Sequence, residues 1–206
     1  MSPIDPFPRD QATTGPADAL KMLVARAGAE GPPLIVVKEG LVGEPAFGLM
    51  AAAGPRTSSR GSVHAFVVEA VREGYLCHNE TSRVLESPDA DLALLAGDLF
   101  YAIGISALAE LGDDESIRLL SDLIVVSAEL RSVGRRDDAE AFWVARTLAL
   151  ACGADAEHWA LSESLMSAGD RSARDLDAWS DRTAATHGIT RHIDEVRHLI
   201  HFTQSP

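Results

Sequence analysis

Seven histidines and thirty-one carboxylates in 206 residues offer material for metal or acid–base chemistry, and two places concentrate it. One is the C-terminal segment with His187, His192, Glu195, His198 and His201. Glu195–His198 and His198–His201 are three apart, so each pair shares a helix face, and Glu-x-x-His is half of a possible Zn or Fe site. No second histidine–carboxylate helix supplies the other half, since His64 and His158 stand alone; a solvated helix face is expected. The other place is Cys77-His-Asn-Glu-Thr-Ser-Arg83, followed by Asp98 in an apolar stretch. Asp98 must face solvent or find a partner, and His78 is expected to hydrogen-bond a neighbouring helix. Cys77 and Cys152 sit in apolar helical context and read as core thiols rather than nucleophiles. No glycine-rich phosphate loop, CxxC pair or GxSxG turn occurs.

These residues need elements to hold them. Alanine and leucine exceed a quarter of the chain and β-branched runs are rare, which predicts an all-α fold. Glycines at 112, 134, 153, 169 and 188 each follow an apolar-periodic segment, as helix stops do. The pattern predicts helices near 17–28, 44–53, 62–77, 88–111, 114–132, 138–152, 156–168, 173–186 and 190–203. Ser87-Pro88-Asp89 reads as a capped start, and Asp137-Asp-Ala-Glu140 as a capping box. Residues 54–61 read as a linker, and Leu34-Ile-Val-Val37 as an extended crossing segment. Length predicts one domain, 16–206, behind a mobile tail, 1–15. Trp143, Trp159 and Trp179, with Tyr75 and Tyr101, are expected as core or interface anchors.

Charge narrows the partners. Eighteen basic against thirty-one acidic side chains leave −13, which repels phosphate backbones, so no nucleic-acid role is expected. The N-terminus lacks a basic, then apolar, signal pattern, and no run reaches the roughly 20 apolar residues of a membrane span. A soluble, cytoplasmic protein is expected.

Four strings together carry a resemblance: Cys77-His-Asn-Glu-Thr-Ser-Arg83, Leu94-Leu-Ala-Gly-Asp-Leu-Phe-Tyr101, Leu108-Ala-Glu-Leu-Gly-Asp113 and Ser127-Ala-Glu-Leu-Arg131. They are similar to the trans-isoprenyl diphosphate synthase superfamily, all-helical enzymes with an "LAGD" helix behind an aspartate-rich "HDDxxD" motif. In those enzymes that motif holds Mg²⁺ against the substrate diphosphate. Here it reads His78-Asn79-Glu80-Thr81-Ser82-Arg83, with Asn79, Glu80 and Arg83 at the aspartate positions. One carboxylate, one amide and one cation cannot gather several Mg²⁺ ions, and Arg83 repels them. No "RRG" stretch follows, and no second aspartate-rich motif: Asp113-Asp114, Asp137-Asp138 and the group Asp175, Asp177, Asp181 lack the spacing. Arg146-Thr147 loosely parallels the lysine–threonine of the active enzymes.

Within the superfamily the chain is most similar to the small non-catalytic subunit of two-component heptaprenyl and hexaprenyl diphosphate synthases, and Glu129 lies in its "xNELK"-like string. The resemblance implies a helical bundle of eight or nine helices, truncated relative to full-length synthases. It implies a regulatory subunit with no cofactor of its own, Mg²⁺ being held by a catalytic partner. The implied partners are that catalytic prenyl diphosphate synthase subunit and the growing prenyl diphosphate chain, in a heterodimer serving a quinone pathway such as menaquinone; the isolated chain could form a homodimer. Ala93, Ala96, Gly97, Asp98, Tyr101, Gly104, Ala107 and Glu129 become cavity or interface candidates, and the small ones leave room for a prenyl chain or for a closely packed helix. An exposed apolar docking patch is expected on 62–77 and 88–132. Two other readings are a stand-alone Mg-dependent prenyl synthase or terpene cyclase using Glu80 and Asp98, and a lipid-binding helical scaffold.

Overall fold

The computed structural model describes residues 15–30, 43–86, 88–167 and 171–204. The predicted tail and the Leu34–Val37 segment lie outside the described residues. Among those described there are nine α-helices and no strand: α1 (Ala19–Glu30), α2 (Ala46–Ala53), α3 (Gly61–Asn79), α4 (Ala90–Leu111), α5 (Asp114–Ser132), α6 (Arg136–Cys152), α7 (Ala156–Ser167), α8 (Arg171–His187) and α9 (Thr190–Gln204). Each matches a helix expected from the apolar periodicity to within about four residues, the usual uncertainty of helix ends.

Two helices are the core. In α3 every residue from His64 to Cys77 is buried, and α6 buries nearly everything from Ala139 to Ala151. Helices α1, α2 and α4 pack on α3, while α2, α5 and α8 pack on α6. Phe47 of α2 and Tyr75 of α3 hold Trp143 of α6, with ring centroids 5.6 and 5.4 Å apart. The two ring pairs meet edge-on and tilted, at 77° and 57°, the arrangements that aromatic pairs prefer. The expected docking patch on 62–77 is therefore corrected: α3 is interior, buried on every side from His64 to Cys77, its charged face included.

The start signals needed revision in two places. Asp89, not Ser87, caps α4, accepting from the Leu92 N–H at 2.8 Å, and Pro88 precedes the helix. No capping box opens α6: Arg135 occupies the cap position without capping the helix, its side chain donating to Asp138 and Leu165 O instead, and Glu140 turns into the core. Asp113 does cap α5, through the Ser116 N–H at 3.1 Å. It follows Gly112, whose φ of +66° lets the chain reverse after α4.

Residues 54–61 form a pinned joint rather than a loose linker. Arg56 donates to Leu150 O at 2.8 Å and to both Asp113 oxygens at 3.1 Å, and His64 Nε2 lies 3.0 Å from the same carboxylate. Burial pushes the Asp113 carboxyl up, but the His64 and Ser116 hydrogen bonds with the Arg56 guanidinium outweigh it and hold it below its ordinary range.

Helix α4 is the exception to the expectation that no segment is apolar enough to span a membrane; by length and composition it is. Its inner face lies on α3 through glycines. A Cβ added at Gly97 would sit 2.6 Å from the His78 ring, and one at Gly74 would sit 2.6 Å from the Tyr101 ring. Gly104 is equally tight, 2.9 Å from Val71. The small residues thus admit a neighbouring helix. Gly97→Val is expected to lower stability by about 1–3 kcal/mol through overpacking. Urea denaturation would measure it, with exposed Ala102→Val as the control expected to change little.

Candidate functional site

Helix α3 carries Glu69, Arg72 and Glu73 at spacings of three and four, so they share one face, and all three are buried. A buried charge is tolerated only when paired. The partner of both glutamates arrives from the loop after α3. Arg83 places Nη1 2.8 Å from Glu69 Oε2 and donates from Nε to Glu73 Oε2 at 2.9 Å. Ser82 Oγ and the Arg83 N–H also donate to Glu73 Oε1, at 2.6 and 2.8 Å. Glu69 Oε1 accepts from the Gly48 N–H of α2 at 2.7 Å. Burial alone would pull the Arg83 guanidinium down, but Glu69 and Glu73 hold it above its ordinary value.

Arg72 has its own partner. Its Nη2 lies 2.8 Å from Glu140 Oε2 of α6, and Glu140 Oε1 accepts from Tyr75 Oη at 3.1 Å. The guanidinium also stands 4.6 to 5.0 Å from the Phe47, Tyr75 and Trp143 ring centres, a cation inside an aromatic enclosure. Arg83 with Glu69 and Arg72 with Glu140 are thus close ion pairs, each with its nearest nitrogen and oxygen 2.8 Å apart.

Glu80 sits at the mouth of this network, just past α3. Arg131 at the end of α5 is 3.5 Å from Glu80 Oε1, and Arg136 at the start of α6 is 2.8 Å from it. Arg131 also donates to Asn79 O at 2.9 Å, and Asn79 Nδ2 donates to Tyr75 O at 3.0 Å. A cleft of about 530 Å³ opens here, bounded by these arginines, Leu76, Thr81, and Leu199 and Ile200 of α9.

The structure thus brings His78, Asn79, Glu80 and Arg83 to one end of α3. Gly97, Asp98 and Tyr101 stand beside His78, which stacks on Tyr101 at 5.4 Å with Nε2 3.2 Å from the solvent-exposed Asp98. Ala93 is half-buried higher on α4, and Gly104 packs on Val71. Glu129 is not brought in: it is exposed on α5, and it is Arg131 of the same string that reaches the site. Among the described residues, the C-terminal histidines and carboxylates form no metal-holding group either. His187 and His198 are exposed, and Glu195 accepts from Arg191 at 2.7 Å. Asp177 and Asp181 face Arg197, and Arg146 reaches Asp122. Burial pushes the Cys77 thiol up to about 12, which removes it as a nucleophile near neutral pH.

Glu69, Arg72, Glu73, Arg136 and Glu140 are the site residues that sequence reasoning missed. The available signal was the i, i+4 pair of acids within an otherwise aliphatic helix. Mg²⁺ does not fit this arrangement. The carboxylates nearest the expected metal position, Glu69, Glu73 and Glu80, already face guanidinium groups.

No protein-family model matches the chain, and no curated protein and no solved structure matches it. Fold and site by themselves define an all-helical bundle whose candidate site is an arginine–carboxylate network around a cleft.

Two outcomes test this network and the core behind it. Arg83→Met strands two buried carboxylates and is expected to cost about 3–5 kcal/mol, with much of the loss recovered in Glu69→Gln/Glu73→Gln/Arg83→Met, by chemical denaturation. His158 is fully buried with neither ring nitrogen hydrogen-bonded among the described residues, and burial, with Arg146 adding to it, pulls its pKa to about 3. The unfolded chain takes that proton below about pH 6.5 and the folded chain does not, so stability falls as pH drops from 6.5 toward 3. Between pH 7 and 5 the loss from this group is on the order of 2 kcal/mol, and His158→Phe is expected to remove that part of the slope.

Proposed function

We propose that this chain is a non-catalytic helical subunit that docks on a catalytic prenyl diphosphate synthase and helps bound its elongation cavity. The observation that carries the reading is the pairing at the end of α3. The position where the resemblance implies a Mg²⁺-binding aspartate cluster holds Glu80 between two arginines, and the carboxylates behind it belong to Arg83. An all-helical frame surrounds that position, and the charges gathered there disfavour a divalent cation, which supports a non-catalytic role.

The outer face of α4 supports a docking role. Leu94 and Leu95 are 49% and 64% exposed, and Ala102 and Ala109 of the same helix are exposed too. Val125 of α5 is 57% exposed. An apolar helix with one face on the core and the other uncovered is the surface expected of an obligate partner. The inner, glycine-bearing side of α4 is filled by α3, so contact with a prenyl chain would fall to the outer face. A stand-alone Mg-dependent enzyme using Glu80 and Asp98 is the weaker reading, because Glu80 faces Arg131 and Arg136, and Asp98 faces His78.

Product formation from isopentenyl diphosphate, an allylic primer and Mg²⁺ tests the reading. The lanes are this chain, an aspartate-rich prenyl synthase from the same genome, and the mixture. Activity or a longer product only in the mixture is expected, with one co-eluting complex on size exclusion. Leu95→Asp should abolish both while leaving the melting temperature nearly unchanged. Turnover by this chain alone overturns the proposal; silence in every lane despite a competent homologue turns the reading to a lipid-binding scaffold.

A further inference from the structure

We propose that the cleft at the end of α3 binds a small phosphate-type oxyanion directly on its arginines, with Glu80 as the internal stand-in that such a ligand displaces. Two cations, Arg131 and Arg136, converge from different helices on the single Glu80 carboxylate. Three guanidinium nitrogens of the arginines that line the cleft are buried with no hydrogen-bond acceptor among the described residues: Arg72 Nη1, Arg83 Nη2 and Arg136 Nε. Arg72 itself is only 6% exposed, and it lines the cleft. Leaving buried charged donors unsatisfied is unfavourable, and phosphate, with several acceptor oxygens and a planar match to guanidinium, is the chemistry that satisfies them.

Glu80 already shows how an anion sits there. It follows α3 in a short loop, so its carboxylate can swing out without disturbing a helix, and two arginines would then face the cleft unneutralised. The ligand must be small: a net charge of −13 repels polyanions and anionic surfaces at long range, leaving short-range pairing to hold one compact group. Leu76, Leu199 and Ile200 form an apolar wall that would accept an ester substituent. Guanidinium groups bind phosphate without a divalent cation. The site lies wholly within this chain and does not depend on docking to a partner.

Isothermal titration of the full chain in EDTA, with inorganic pyrophosphate and with butyl diphosphate, is the test. Saturable binding is expected for at least one of them. Equal affinities identify the free anion as sufficient, and tighter binding of the ester identifies the apolar wall as part of the site; both support it. Arg131→Gln and Arg136→Gln, at the solvent-facing rim, should weaken binding about tenfold or more with the fold intact by circular dichroism. Glu80→Gln, which removes the competing carboxylate, should tighten binding by about threefold or more. No binding at about 10 mM, binding only after Mg²⁺ is added, or binding indifferent to both arginine substitutions would each overturn the proposal. Weaker binding in Glu80→Gln would overturn the displacement role.

Discussion

Burying a helix that carries charges obliges the rest of the molecule to answer them, and α3 is such a helix. Glu69, Arg72 and Glu73 lie among aliphatic side chains at the centre, where an unpaired charge is untenable. Each answer organises a separate part of the chain. Arg83 folds the loop after α3 back over two glutamates, which also orders the backbone from Ser82 to Leu85. The Gly48 N–H brings α2 to Glu69, and Glu140 ties α6 to Arg72 and Tyr75. The following loop, α2 and α6 are thus all oriented by one charged face.

Directional and Coulombic contacts do this alongside nonspecific packing. Phe47, Tyr75 and Trp143 could fill the centre in several arrangements by volume alone. The Arg72 guanidinium, 4.6 to 5.0 Å from all three ring centres and joined to Glu140, selects one of them. Tyr75 serves both systems, giving its face to the cation and its hydroxyl to the carboxylate.

Helices were legible in the sequence because their signals are local: alanine-rich periodic stretches ended by glycines such as Gly112. The site was legible only in part, because its logic is tertiary. His78, Asn79, Glu80 and Arg83 stand out as a string, yet reading them linearly hides that Arg83 serves Glu69 and Glu73, fourteen and ten residues earlier. Glu140 is a capping residue by spacing and a core ion-pair partner by geometry, since tertiary burial outweighs a local cap. The small-residue side of α4 was read as open to either a chain or a helix, and only the backbone positions decide for α3. His158 gave no local signal at all, its burial being set by Trp179, whose ring centre is 4.6 Å away on another helix.

The paired charges also explain why the character of this site resists gradual change. In a metal centre, carboxylates are left uncompensated so that a cation can complete them. Here compensation is built in, and three of the arginines are held by more than one interaction: Arg83 by two carboxylates, Arg131 by Glu80 and a backbone carbonyl, Arg72 by Glu140 and three rings. Changing any one cation to an acid sets like charges side by side in a low-dielectric interior before any metal could gain a site. Building a divalent-cation site here would need several coordinated substitutions, each unfavourable alone. The uneven exposure of the network points the same way: the deep pairs serve the fold, while Glu80 at the mouth, set between two arginines in a short loop, is the member that can move without dismantling it.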